Sequence, residues 1–252
     1  MRISGSGCML VISAMLVLYH GVAGQSLNAD KPGIEMKRGR PDIPGDLGFD
    51  LGLAIAPDFP EQISQDIVRS IYFSPFYKYE FFIPNTNFSI LAGLSVGSEK
   101  YRFKNDVTLV RSIDAEDNYF NEVVELDSLL ENVNIKKSNL TATYLEIPLE
   151  VRFRTNRKYP KNGLNFSVGG KIGYLADAHT KFKYRVDGET KVTKQKESFD
   201  LSPLRYGLTG RIGFGIFNLF YYYSLNPLFQ EDKGPLGDVS QPMIFGFSLS
   251  PF

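Results

Sequence analysis

Tryptophan is absent from this sequence, and its single cysteine is Cys8. Cys8 falls inside an N-terminal apolar run, so the part of the chain that folds has no thiol and no disulfide to hold it. Histidine is nearly missing as well, with only His20 and His179. Net charge is zero: Lys plus Arg equals Asp plus Glu at 28 each. That balance excludes nucleic-acid binding driven by bulk electrostatics. Past residue 24, no apolar run approaches the roughly 20 residues that a spanning helix needs. Membrane crossing by strands stays open. Aromatics are abundant, with 14 Tyr and 20 Phe, a bias toward strands.

At the N-terminus, Arg2 supplies a positive charge, "CMLVISAMLVLYHGVA" an apolar core, and Val22-Ala23-Gly24 the small residues of a processing site. The expectation is a signal peptide over residues 1–24, cut between Gly24 and Gln25. An uncleaved anchor is the alternative, and Gly21 and Gly24 interrupt the run it would need. Residues 25–45, "QSLNADKPGIEMKRGRPDIPG", are polar and rich in Pro and Gly, a tail ahead of the fold. Its Lys37, Arg38 and Arg40 are available to an acidic partner.

From residue 46 to 252 the hydrophobic period is two. "DLGFDLGLAIA" sets Leu47, Phe49, Leu51, Leu53 and Ile55 against Gly48, Asp50, Gly52 and Ala54. "SIYFSPFYKYEFFI" and "FSILAGLSVGSEKYRF" follow. "YLEIPLEVRFR" then alternates almost without error, with Leu145, Ile147, Leu149, Val151 and Phe153 on one face and Tyr144, Glu146, Pro148, Glu150, Arg152 and Arg154 on the other. "LNFSVGGKIGYLA", "RYGLTGRIGFGIF", "NLFYYYSLNPLF" and "MIFGFSLSPF" bring the strands to eight. Most run to about ten residues, the length of a tilted membrane strand. Connections alternate: "PNTN", "TNRKYPKNG" and Phe217-Asn218 are short, whereas 57–69, 104–139, 177–202 and 226–241 are long.

Alternation alone also fits a soluble lipocalin-like barrel or a β-sandwich. Three features favour the membrane. The strands are long for a soluble sheet. The polar face carries Gly, Ser and opposed charges, which suits a narrow lumen. The apolar face carries bands of Phe and Leu, with Tyr144, Tyr174, Tyr206 and Tyr221 to Tyr223 as candidates for interfacial girdles. The expected architecture is all-β: a closed, antiparallel, eight-stranded transmembrane β-barrel with short periplasmic turns and long extracellular loops.

With these residues in place, the strand "YLEIPLEVRFR", the segment "RPDIPG" (Arg40 to Gly45) and the terminal Phe252 resemble the PorT-like outer-membrane β-barrel family of the Bacteroidota. The resemblance spans about residues 40–252. It implies an outer-membrane location in a Gram-negative bacterium and a role as an accessory of protein secretion or envelope assembly, since some members are tied to secretion or gliding. It transfers no functional residue. One departure is Phe252, which falls on the opposite parity from Met243, Phe245, Phe247 and Leu249, with Pro251 in the expected place.

If the apolar parity faces lipid, the lumen receives Asp50, Lys78, Glu80, Glu146, Glu150, Arg152, Arg154, Lys171, Arg205 and Arg211. Charges taken out of water must pair, so these ten form a structural network, with a narrow ion path as the functional alternative. Pro148 removes a ladder donor, and a bulge or a missing hydrogen bond is expected there. His179 with Ser198 or Ser202 is the one conceivable nucleophilic pair, without a nucleophile motif around it. Asp114 to Glu122 cluster oxygen ligands but lack calcium-loop spacing. "EVVELDSLLENV" has the pattern of a short amphipathic helix. "KFKYRVDGETKVTKQK" reads as a hairpin that turns at Asp187-Gly188 and extends the fifth and sixth strands outward, its cations facing lipopolysaccharide. No enzyme activity, cofactor or metal is expected. The expected partners are outer-membrane lipid, lipopolysaccharide and envelope or secretion-complex proteins. A passive channel or ligand-binding barrel is the competing function, and a lipid-modifying enzyme the third.

Overall fold

The computed structural model describes residues 45–250, apart from 58, 60–61, 114–118, 127–133, 157–162, 187, 231–232 and 236–239. The signal peptide, the Gly24/Gln25 junction, the tail up to residue 44, and Pro251 and Phe252 lie outside the described residues. So does most of the acidic segment that begins at Asp114.

Among the described residues there are eleven strands: β1 (Asp46–Ile55), β2 (Ile71–Phe82), β3 (Phe88–Phe103), β4 (Val107–Ile113), β5 (Tyr119–Glu125), β6 (Asn134–Arg154), β7 (Leu164–Val186), β8 (Glu189–Gln195), β9 (Leu204–Phe214), β10 (Phe217–Ser224) and β11 (Met243–Leu249). A single 3-10 turn, Ile67–Arg69, precedes β2. Eight strands pair antiparallel in the order β6-β3-β2-β1-β11-β10-β9-β7, and β6 pairs with β7 to complete a ring. No helix among the described residues is long and apolar enough to cross a membrane; strands are the crossing elements.

The two parities face two different media. On β6, Ile147 is 61% exposed and Leu149 58%, while Glu146 and Glu150 are 2% and 1% exposed. The same contrast runs around the ring, with Phe73, Leu94, Val168, Leu208, Phe247 and their neighbours outward. An apolar belt of this continuity is far beyond what a soluble surface carries, and it has the form expected of a wall against lipid.

Pro148 interrupts one ladder without shifting it. Between β3 and β6 the pairs Ala92↔Leu149 and Ser95↔Glu146 share one register, and the two positions between them are unpaired. The bulge sits higher. Thr143 pairs with Asp177 and Tyr144 with Leu175, leaving Ala176 as an extra residue in β7. Beyond it the outward parity of β7 becomes odd-numbered: Asp177, His179, Lys181, Lys183.

The long loops hold more strand than their sequence suggests. β6 begins at Asn134 and β7 runs to Val186, well past the apolar belt. Of the segment Glu122 to Val133, expected as a short amphipathic helix, Glu122 to Glu125 belong to β5, a strand paired with β4, Leu126 is helical, and residues 127–133 lie outside the described residues. Val123 and Val124 sit opposite Leu109 and Thr108; a β-branched partner strand outweighs a helical spacing of apolar residues. The basic hairpin is real, with Gly188 at φ +81°, but β8 extends only β7. β9 begins at Leu204, below it.

Candidate functional site

Among the described residues, the buried charges concentrate in the lumen. All ten charged residues assigned to it from parity lie there, and Asp46 and Glu99 join them. They sort into three levels, each with two carboxylates and two cations.

At the end with the short turns, Glu80 takes Arg154, with Nε at 3.0 Å, and also Arg152 at 3.4 Å. Arg152 turns its other contact to Asp46 at 2.9 Å, and Ser89 donates to Glu80.

In the middle, Glu150 accepts from Lys78 at 2.6 Å, from Arg211 Nε at 3.2 Å and from Ser167 at 2.8 Å. Arg211 spends its fork on Asp50, at 2.8 and 2.7 Å. Two phenyl rings floor this level. Lys78 stands 4.6 Å from the Phe76 ring centre, and Arg211 stands 5.6 and 5.2 Å from those of Phe76 and Phe220.

Above it, Glu146 accepts from Lys171 at 2.9 Å, Ser95 at 3.1 Å, Tyr72 at 3.3 Å and Arg205. Arg205 also pairs with Glu99. Lys171 lies 4.1 Å from the Tyr222 ring centre and Arg205 4.4 Å from that of Tyr144.

Register explains the arrangement. Glu146 and Glu150 stand four apart on β6, so both point inward. Lys171 pairs with the position between them, Pro148. Across β7, Ser167 sits beside Arg211 and Gly173 beside Arg205. Glycine makes the space: a Cβ at Gly97 would stand 2.8 Å from the Glu146 carboxylate. With every charge matched, each level is neutral, and the cost of desolvation is offset by short, charge-assisted bonds. A cavity between these levels, lined by Asp50, Tyr72, Lys78, Glu146, Arg211 and Tyr222 among others, is about 10 Å³, room for about one water.

Two of the tyrosines proposed for an interfacial girdle belong here instead. Tyr144 and Tyr222 are each 1% exposed and share the inward parity with the charges. Tyr174, Tyr206 and Tyr221 face outward, as a girdle requires.

Toward the long-loop end the lumen turns apolar. Tyr101, Phe103, Leu140, Ala142, Phe199, Leu201, Leu228 and Phe229 pack into one buried cluster with Ala54 and Ile244. Phe59 closes edge-on against Tyr101, 5.7 Å between ring centres. Backbone groups pin the cap. Ser202 donates to the carbonyls of Pro227 at 2.8 Å and Phe229 at 3.0 Å. Asn121 on β5 donates to the Phe199 carbonyl, Asp200 and the Lys233 carbonyl, each at 3.0 Å. Phe199 and Asp200 hold φ of 49° and 48°, a left-handed pair sustained by these contacts.

His179 and Ser202 are not brought together as a nucleophilic pair. Ser202 faces the inner cap, while His179 lies on the outer face of β7, where Nδ1 meets Asp177 at 3.0 Å. Asp177 is held below its usual carboxylate range. Burial pushes it upward, but contacts from Lys196 and His179 outweigh that. Sequence parity missed Asp46, which opens β1, and Glu99, which lies where β3 has passed beyond the apolar run that identifies the inward face.

The match to a family model agrees with this architecture. Residues 48–230 match the family model described as outer membrane protein beta-barrel domain. The crystal structure of Ail, the attachment invasion locus protein of Yersinia pestis, in complex with the heparin analogue sucrose octasulfate, aligns with 12% identity and a TM-score of 0.32. That alignment covers 82% of this chain and 99% of Ail. No curated protein matches the sequence. The chain belongs to the outer membrane protein beta-barrel domain family and is an outer-membrane β-barrel.

Proposed function

We propose that this protein is a non-enzymatic scaffold of the outer membrane that acts through partner proteins, as an accessory of protein secretion or envelope assembly. The observation that carries the proposal is the filled lumen. Three neutral charge levels occupy its lower and middle parts, and an apolar cap occupies the rest. An eight-stranded barrel has an interior just wide enough for its own side chains, and here the cavity between the middle and upper charge levels has space for about one water. Activity is then left to the surfaces outside the ring, among the described residues the β4–β5 hairpin and the β7–β8 hairpin, and to the segment of residues 25–45. The separation of Ser202 from His179 supports the non-enzymatic part. The resemblance of "YLEIPLEVRFR" and "RPDIPG" to the PorT-like family supports the accessory role, and processing between Gly24 and Gln25 delivers the tail to the periplasm.

The test is affinity isolation of the tagged chain from cross-linked native membranes. The expected result is enrichment of larger envelope or secretion complexes, lost when residues 25–45 or the β4–β5 hairpin are removed from a still-folded barrel. Recovery of the barrel alone, with a change in the lipid A mass of a deletion strain, would replace this reading with an enzymatic one.

A further inference from the structure

The β7–β8 hairpin ends the sheet on an open edge. β8 pairs with β7 on one side and, among the described residues, with nothing on the other. Glu189 to Lys194 are all exposed. Val186 pairs with Glu189 across a two-residue turn. Such a closing pair exchanges both of its backbone bonds, and the pattern alternates from there. Tyr184 with Lys191 and Phe182 with Thr193 are therefore bonded pairs. Thr190, Val192 and Lys194 turn their N–H and C=O groups the other way, where no hydrogen bond among the described residues meets them. Native sheets blunt such edges with proline, a bulge, a covering loop or lysine. β8 has no proline, no shift of register and no cover; lysine is what it carries.

The two faces of the hairpin differ. On one, Lys181, Lys183 and Arg185 stand opposite Lys194, Val192 and Thr190, and Lys137 of β6 stands opposite Lys183. Like charges directly opposite on neighbouring strands are destabilising, and this face holds two such pairs. No ion pair among the described residues relieves them; Asp177 is taken by Lys196 and His179. On the other face the Phe182 and Tyr184 rings lie 5.9 Å apart, with Ile135 opposite Tyr184 and Thr193 opposite Phe182. The small Val192 and Thr193 let long side chains from a neighbouring strand reach over β8 to either face of β7.

Height limits what can arrive. β8 lies opposite Thr180 to Val186, six to twelve positions beyond Tyr174. That is about 20–40 Å along the strand and about 15–30 Å along the membrane normal for a tilt of about 40°, past a headgroup layer about 5–8 Å deep. The edge stands in the aqueous medium. A second copy is a poor occupant, because β8 against β8 adds lysine to lysine. We propose that the free edge of β8 takes up an extended segment of a partner protein as an added strand, one in which acidic and apolar residues alternate. Its backbone bonds to Thr190, Val192 and Lys194, the mode of recognition open to an exposed sheet edge. Its carboxylates lie on the face of Lys181, Lys183 and Lys194, and its apolar side chains on the face of Phe182 and Tyr184. The proposal rests on the scaffold reading, to which it gives a docking edge and a partner class.

The test uses the folded full chain in neutral detergent and three blocked peptides: one alternating Glu with Val, its Lys-for-Glu counterpart, and the acidic peptide N-methylated at alternate amides. Binding is read by calorimetry, and hydrogen exchange by NMR. The expected result is binding of the acidic peptide alone, with new protection at the amides of Thr190, Val192 and Lys194. V192P removes one outward N–H, a change an edge strand tolerates, and is expected to weaken binding by about tenfold. Retained protection at Lys191 and Thr193 shows that its hairpin is intact. K181Q/K183Q, which leaves the edge whole, is expected to weaken binding about tenfold as well. No binding, equal binding of the basic or N-methylated peptide, or binding without protection of the three amides would overturn the proposal. Self-association that V192P abolishes would assign the edge to a second copy and overturn it too. Affinity isolation from the V192P strain separates the two readings: large complexes recovered in full leave the scaffold role standing without this edge, whereas peptide binding with no complexes recovered leaves the edge without the scaffold role.

Discussion

Arg211 on β9 grips both carboxylate oxygens of Asp50 on β1, at 2.8 and 2.7 Å, through the middle of the barrel. The same guanidinium reaches Glu150 through Nε. Removing Asp50 leaves two buried cations, Lys78 and Arg211, sharing one carboxylate. The D50A variant is therefore expected to lose about 3–5 kcal/mol of folding free energy, the range for breaking a buried pair. Urea unfolding in lipid vesicles measures it. Replacing the pair together, as D50L/R211M, is expected to cost far less, because no unmatched charge remains.

Ile147 tests which face meets lipid. It is 61% exposed and lies near the middle of the belt, two residues from Leu145 and Leu149. The I147K variant is expected to destabilise the barrel in vesicles by about 2–4 kcal/mol, as for a lysine at the bilayer midplane. A change within about 0.5 kcal/mol, typical of a water-facing surface site, would mean that this face meets water.

Gly246 tests the seam between the first and last strands. It pairs with Gly52, and a Cβ there would collide with the Leu51 carbonyl and the Gly52 Cα. Backbone cannot give way as a flexible side chain can. The G246A variant is expected to refold in markedly lower yield, scored by the heat-modifiable band on a gel. Unchanged yield would mean that β1 and β11 lie further apart than the register implies.

His179 gives a clean pH signal, because the other histidine, His20, lies in the N-terminal segment. Burial lowers its pKa, Lys194 and Lys181 add to the shift, and Asp177 opposes it. A free imidazole titrates near about 6.5, so the ring is expected to titrate below that value by NMR. The unfolded chain then binds the proton first as pH falls. The local stabilisation is present above the unfolded pKa and lost as pH drops through the folded one. A midpoint at or above that of a free imidazole would contradict the geometry around His179.

How far the fold was legible from sequence depends on where water begins. In "YLEIPLEVRFR" the medium outside is lipid, so hydrophobic residues face out and charges face in, and strict alternation discloses both. In "SEKYRF" the same strand has left the belt. There Glu99, Tyr101 and Phe103 face in while Lys100 and Arg102 face out. Hydrophobicity alone no longer separates the faces, and Glu99 escaped notice. Tyr144 and Tyr222 were misassigned for a related reason, since tyrosine suits both an interface and a hydrogen-bonded lumen. The β5 half of the β4–β5 hairpin is hidden because Glu122 to Glu125 open a helical spacing of valines and leucines, and at Val123 and Val124 the partner strand decides. Pairing in the lumen was readable as a requirement, but which cation meets which carboxylate depends on register, and the bulge at Ala176 is silent in the sequence.

Single-channel recording in a planar bilayer tests the central claim most directly. Among the described residues two groups fill the lumen, matched charges between Asp46 and Glu99 and the apolar cluster around Leu140 and Phe229. The folded barrel, verified by its heat-modifiable band, is expected to give no conductance above the bare membrane in molar salt. A stable, ohmic conductance from the same folded preparation would contradict the sealed lumen and make the protein a channel.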